Sequence, residues 1–286
     1  MTMATDMRTD PRLRAGGGFM YGTAWKEDDT RRLVGLALAA GFRAIDTANQ
    51  RKHYVEAAVG EALEEAYAAG VVRRENVFLQ TKFTHVGGQD RRLPYDPQAP
   101  IATQVKQSFE SSLGHLRTRA IDAYVLHGPS TRHGLAPEDL EAWRAMEALH
   151  ASGAVGILGI SNVTRAQLEL LLQHAAVRPA VVQNRCYAST GWDRDVRALC
   201  DEQGIVYQAF SLLTANRREM GGPELKAIAK RNGMTAAQVV FRFALDIGMV
   251  PLTGTTDPEH MKADLAVAAQ RLGEDELRVV ETIGLP

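Results

Sequence analysis

The sequence predicts a (β/α)8 barrel in a single domain, and three observations lead there. Eight short apolar runs recur along the chain, beginning at Phe19 (FMYGTA), Arg43 (RAIDTA), Val77 (VFLQTKF) and Ala120 (AIDAYVLHG), then at Val155 (VGILGISN), Ala180 (AVVQNRCY), Ile205 (IVYQAFSL) and Val250 (VPLTGT). Amphipathic stretches separate them, and strands alternating with helices form a parallel sheet, which eight repeats in about 270 residues close into a barrel. No GxGxxG follows any of these runs. That removes the dinucleotide fingerprint of the competing architecture, a doubly wound open sheet.

Residues 1–18 are polar, Arg-bearing and Gly-rich, without the apolar stretch of a signal peptide; they read as a flexible tail ahead of a barrel over 19–286. Leu33, Leu36, Ala37 and Ala40 share one face of the helix that follows the first apolar run, and Gly41 offers a left-handed cap. Thr164 with Gln167 and Thr235 with Gln238 form capping boxes before apolar runs. Pro223 and Pro258 suit first-turn positions behind Gly222 and Asp257, and Asn232-Gly233 divides residues 222–246 into two helices.

With 286 residues, 45% of them hydrophobic, the chain can bury one barrel-sized core. Lys and Arg number 33 against 34 Asp and Glu, so neither a nucleic-acid footprint nor a polybasic membrane anchor is expected. Two cysteines, Cys186 and Cys200, are too few for a disulfide framework. No apolar run reaches the ~20 residues of a membrane helix. A cytoplasmic protein acting on small molecules, monomeric by default and without a metal, is the expectation.

Polar and ionisable residues collect at the C-terminal ends of the apolar runs. Asp46 follows RAI, Lys82 follows VFLQT and His127 follows AYVL; Ser161-Asn162, Gln183-Asn184 and Thr253, Thr255 and Thr256 close three others. In a closed barrel those ends meet at one face, where active sites are built. Singly, each has a bland reading: Asp46 as a helix cap, Lys82 snorkelling at the rim, His127 as a satisfied rim imidazole. Three charged types at the ends of three consecutive strands favour a shared site, with the charges only partly buried at the mouth.

These same stretches carry a family likeness. The chain resembles the aldo-keto reductases from Phe19 to its end, through GTAW at Gly22, AAGFRAIDTA ending at Ala48, EAAVGEAL from Glu56 and VFLQTK ending at Lys82. IDAYVLHGP ending at Pro129, GILGISN ending at Asn162, VVQNRCY ending at Tyr187 and TAAQVVFRF from Thr235 continue the match. The resemblance implies NADPH-dependent reduction of aldehydes and ketones, with NADH possible. It implies a catalytic set of Asp46, Lys82, His127 and a tyrosine, in which Lys82 draws the phenol down from its ordinary pKa near ~10. The family's tyrosine lies five residues after the aspartate, where this chain has Arg51; a short insertion in the turn with a one-residue slide assigns the role to Tyr54, with His53 as the competing position.

For the cofactor, the resemblance implies Ser161, Asn162 and Gln183 on the carboxamide, Phe210 stacking on the nicotinamide where a tyrosine is usual, and Ser211 and Leu213 toward the pyrophosphate. Leu252 and His260 fall where the family places a lysine and an arginine on the 2′-phosphate, leaving Thr253, Thr255, Thr256, His260 and Lys262 as partners. Trp25 and Tyr21 are the candidate pocket residues, with Tyr95 and Trp192 behind them. The chain's end at Pro286, soon after the last helix, implies an open, permissive pocket. Two alternatives remain: a nicotinamide-binding regulatory protein of the same fold without efficient turnover, and a barrel aldolase using Lys82 as a Schiff base.

Overall fold

The computed structural model describes residues 7–285. Eight parallel strands, β1 (Met20–Gly22), β2 (Ala44–Asp46), β3 (Phe78–Phe83), β4 (Ile121–Leu126), β5 (Val155–Ser161), β6 (Val181–Arg185), β7 (Val206–Phe210) and β8 (Val250–Thr253), close a barrel in chain order. Each begins within one residue of its apolar run. The open-sheet alternative is thereby excluded.

Strand alternation sorts the residues into two shells. Met20, Ala44, Phe78, Ala123, Val125, Val181, Val206, Val250 and Leu252 fill the barrel interior. Their neighbours Tyr21, Ile45, Leu79, Tyr124, Leu158, Val182 and Tyr207 pack outward against the helices. The helix Thr30–Ala40 buries Leu33, Val34, Ala37 and Leu38 and ends on Gly41, whose φ of 118° a side chain would resist. The buried stripe therefore lies a little to one side of the predicted face, Leu36 and Ala40 sitting at its margin. Both capping boxes form, and Gly233, left-handed at φ 63°, separates the helices Pro223–Asn232 and Ala236–Asp246. Cys186 and Cys200 are free and buried.

The expected flexible tail needs correction from residue 7 onward; residues 1–6 lie outside the described residues. Met7–Thr9 and Pro11–Ala15 form short helices that cap the N-terminal end of the barrel, with Met7 and Leu13 buried in the interior cluster. Asp10 caps the second of these, accepting from Arg12 N at 2.8 Å. The Arg12 guanidinium also bonds Asp122 at 2.6 Å and lies 5.1 Å from the Phe78 ring centroid. One polar residue in a polar run thus ties two apolar ones, Met7 and Leu13, beneath the strands.

The helix Glu56–Ala68, which follows the turn bearing Tyr54, crosses the end of the helix Ile101–His115 at Gly60. A Cβ there would lie 1.9 Å from the His115 carbonyl oxygen. Backbone cannot yield as a side chain does, so Gly60→Ala is expected to cost about 2–3 kcal/mol by overpacking. Urea unfolding checks this: the midpoint falls while the slope is retained.

Candidate active site

Inward parity stacks three side chains in line on β3: Phe78 at the bottom, Gln80 above it and Lys82 above that. Asp46 reaches the same level from β2, in register with Gln80. Lys82 Nζ donates to Asp46 Oδ1 at 2.6 Å, to Oδ2 at 2.7 Å and to the Thr47 carbonyl at 2.8 Å, which uses all three ammonium protons. Asp46 Oδ1 also accepts from Gln80 Nε2 at 2.7 Å and Gln183 Nε2 at 3.0 Å. Gln208 Oε1 accepts from both of those amides at 2.8 and 2.9 Å. Partial burial at the mouth was the expectation for these charges. Lys82 is instead 0% exposed, beneath the cavity floor, and Asp46, 2% exposed, reaches that floor; burial pulls the lysine below its usual range against the pull of Asp46 and Glu56.

Tyr54 lies above this pair. The turn over residues 51–53, closed by His53 N and Tyr54 N on the Gln50 carbonyl, takes up the extra length that displaced the tyrosine in sequence. The Tyr54 ring centroid is 5.3 Å from Lys82 Nζ and 5.9 Å from the His127 ring. His53 also lines the cavity, but its ring stacks on Trp25 at 3.9 Å. The expected lowering of the phenol is reversed. Burial, and secondarily the Asp46 carboxylate, push Tyr54 well above its ordinary range. His127 is pushed down to about 3, first by burial and then by Lys82, and its Nδ1 pairs with Thr84 Oγ1 at 2.7 Å. The site thus carries a protonated phenol and a neutral imidazole.

A cavity of about 1470 Å³ opens above them at the C-terminal ends of the strands. Trp25, Tyr54, His127, Ser161, Asn162, Gln183, Phe210, Ser211, Leu213, Thr253, Thr255 and His260 all line it. Three of these, Trp25 (φ 61°), Asn162 (φ 52°) and Ser211 (φ 58°), hold left-handed backbone, so the loops around the cavity are shaped at some conformational cost. Gln183 has its amide nitrogen committed to Asp46 and Gln208, which leaves its carbonyl oxygen to the cavity. Asn162 Nδ2 donates to the His127 carbonyl at 2.8 Å, leaving its Oδ1 as a second acceptor nearby.

Five residues expected at the site lie off the cavity: Tyr21, Tyr95, Trp192, Thr256 and Lys262. Tyr21 faces outward on β1, fully buried, and donates to the Thr255 carbonyl at 3.0 Å. Tyr95 donates to the Thr84 carbonyl and Trp192 to the Val280 carbonyl, both inside the helix-side core. Thr256 is exposed and does not line the cavity. Leu252, expected to face a phosphate, shares the inward parity of Val250; it packs beside Met20 at the top of the barrel interior and lines the cavity with an apolar side chain. Lys262 pairs with Glu259 at 2.9 Å, away from the cavity.

Residues 15–284 match the aldo/keto reductase family. The chain belongs to that family. It is 30% identical over 280 residues to deoxymugineic acid synthase 1 of Zea mays, covering 90% of this chain and 83% of that one. It is 28% identical to the aldo-keto reductase AKR2E4 of Bombyx mori, covering 96% and 89%. Among solved structures, an aldo/keto reductase from Brucella melitensis superposes with a TM-score of 0.79 at 25% identity, covering 93% and 94%. That of the Bombyx mori enzyme, in complex with NADP, gives 0.78 at 24%, covering 93% and 88%.

This aldo/keto reductase is an oxidoreductase, and the Schiff-base alternative fails on access, since Lys82 does not line the cavity. Several of its residues escaped the sequence reading. Lys26, directly after the GTAW stretch, is 8% exposed, lines the cavity and bonds the Gly254 carbonyl, with burial lowering its pKa. Asp264 also lines it, accepts from Thr253 Oγ1 at 2.7 Å and is raised by burial to about 6. Gln80 and Gln208 were readable as polar interruptions at inward positions of β3 and β7. Breaking a buried pair by removing one partner costs about 3–5 kcal/mol. Asp46→Asn and Lys82→Met should each lower stability on that scale. The double variant should lose less than the two losses added, as a urea double-mutant cycle will read.

Proposed function

We propose that this chain reduces small aldehydes and ketones to alcohols with NADPH, NADH serving less well, and that Tyr54 is the proton donor. The observation that carries this reading is the buried Asp46–Lys82 pair set directly beneath a protonated phenol, with a neutral histidine at the same cavity floor. The residues around it fit the cofactor. Gln183 Oε1 and Asn162 Oδ1 match the two N–H groups of a carboxamide, and Phe210 offers a flat ring for stacking. Ser211 and Leu213 lie along the loop beyond. Lys26 supplies a cation beside Gly254, Thr253 and Thr255, where the β8 loop has none. The Bombyx mori relative's complex with NADP supports the same choice.

When bound, NADPH supplies the hydride for the carbonyl carbon. Tyr54 gives its proton to the carbonyl oxygen, and Lys82 stabilises the phenolate left behind. Asp46 keeps Lys82 charged and oriented, while Gln80 and Gln183 hold Asp46. With Thr84 donating to Nδ1, His127 carries its proton on Nε2 and directs the carbonyl oxygen by a hydrogen bond. Trp25, 69% exposed at the mouth, covers the substrate. The tyrosine displacement that motivated a binding-only protein is absorbed by the turn over 51–53. The enzyme is proposed to act in the cytoplasm as a monomer, without nucleic acid; no described helix is long and apolar enough to cross a membrane.

Tyr54→Phe is expected to lower the rate of carbonyl reduction by roughly 10²–10⁴, the usual effect of removing a positioned general acid. NADPH affinity, read by fluorescence titration, should hold. Retained turnover in Tyr54→Phe would defeat the assignment. A second expectation concerns the adenosine end, where Asp264 is neutral below about pH 6 and negative above it. An ionised carboxylate near the 2′-phosphate repels NADPH but not NADH. The NADPH preference should therefore be largest at pH 5 and shrink by pH 8, and Asp264→Asn should remove that trend from the ratio of dissociation constants.

A further inference from the structure

Arg185 ends β6 and Phe210 ends β7, and the sheet register sets them side by side. The guanidinium carbon lies 5.7 Å from the Phe210 ring centroid, and both residues line the cavity. Arg185 is exposed to that cavity, and no described carboxylate pairs with it. The nearby acid on the barrel axis, Asp46, is already compensated by Lys82. A guanidinium stays charged at every working pH, so the stacking ring of this site has a permanent, uncompensated cation beside it.

A nicotinamide stacked on Phe210 has two redox forms that differ in charge. The oxidised ring carries a unit positive charge and the reduced ring none, while the phosphates and the ribose are the same in both. A fixed cation beside the ring therefore penalises only the oxidised form. We propose that Arg185 makes the site discriminate the redox state of its cofactor, holding reduced nicotinamide more tightly than oxidised and speeding release of the spent form. The proposal rests on the nicotinamide reading given above. Like unit charges in neighbouring positions at a partly exposed site separate the two affinities by roughly three- to thirtyfold.

The test is a fluorescence titration of the whole chain with NADP⁺ and with NADPH, in wild type, Arg185→Gln and Arg185→Lys. Arg185→Gln should lower the ratio of dissociation constants, NADP⁺ over NADPH, by at least threefold, chiefly through tighter NADP⁺. Arg185→Lys should keep most of the wild-type ratio. Equal weakening of both nucleotides in Arg185→Gln would assign the guanidinium to the shared pyrophosphate and overturn the proposal. An unchanged ratio would overturn it as well. A wild-type chain that binds neither nucleotide would defeat the nicotinamide reading itself, a result distinct from both.

Discussion

Two opposite charges are buried inside this barrel, and most of the architecture above them follows from keeping both satisfied. An ammonium with no exposed surface is tolerable only when each proton has an acceptor, and Lys82 finds its three in Asp46 and the Thr47 carbonyl. Asp46 in turn needs Gln80 and Gln183, and those amides need Gln208. The requirement reaches across β2, β3, β6 and β7. A one-residue slip of any of these strands would turn its member of the network toward the helices. The network therefore specifies strand register as well as chemistry.

Because the ammonium is engaged by Asp46, it does not by itself make the neighbouring phenol acidic. Tyr54 and His127 rest in their neutral forms, and in the mechanism proposed above the field of Lys82 becomes effective only as negative charge develops on the phenol. That is electrostatic preorganisation: the dipoles and the cation stand in place before the reaction needs them. The left-handed backbone at Trp25, Asn162 and Ser211 serves the same end, placing an aromatic, an amide and a loop start around one cavity.

The strands and their polar ends were legible because period-two burial and C-terminal polar residues are local features of the chain. Asp46, Lys82 and His127 could be placed at one face from pattern alone. Tyr54 required an assumption about turn length; the structure has a turn over residues 51–53 and Tyr54 lining the cavity, and its role is the proposal made above. Tyr21 was misplaced because the in-and-out alternation was not carried through β1, where Met20 sets the inward parity. Lys26 and Arg185 were overlooked because an exposed-looking cation beside a strand end resembles ordinary surface charge until the loops that surround it are known. Met7 and Leu13 were hidden in a polar, glycine-rich stretch, where burial is decided wholly by tertiary packing.

Met7 gives the chain's beginning an unusual reach. Its thioether accepts from Gln208 Nε2 at 3.1 Å, and Gln208 bonds the two amides that hold Asp46. The floor of the barrel and the carboxylate that pairs with Lys82 are thus linked through one glutamine. Chain termini are commonly treated as interchangeable packaging when homologues are trimmed, fused or compared. In this enzyme a buried methionine ahead of β1 belongs to the hydrogen-bonded network beneath the cavity, so a change at Met7 is a change in how firmly the Asp46–Lys82 pair is seated.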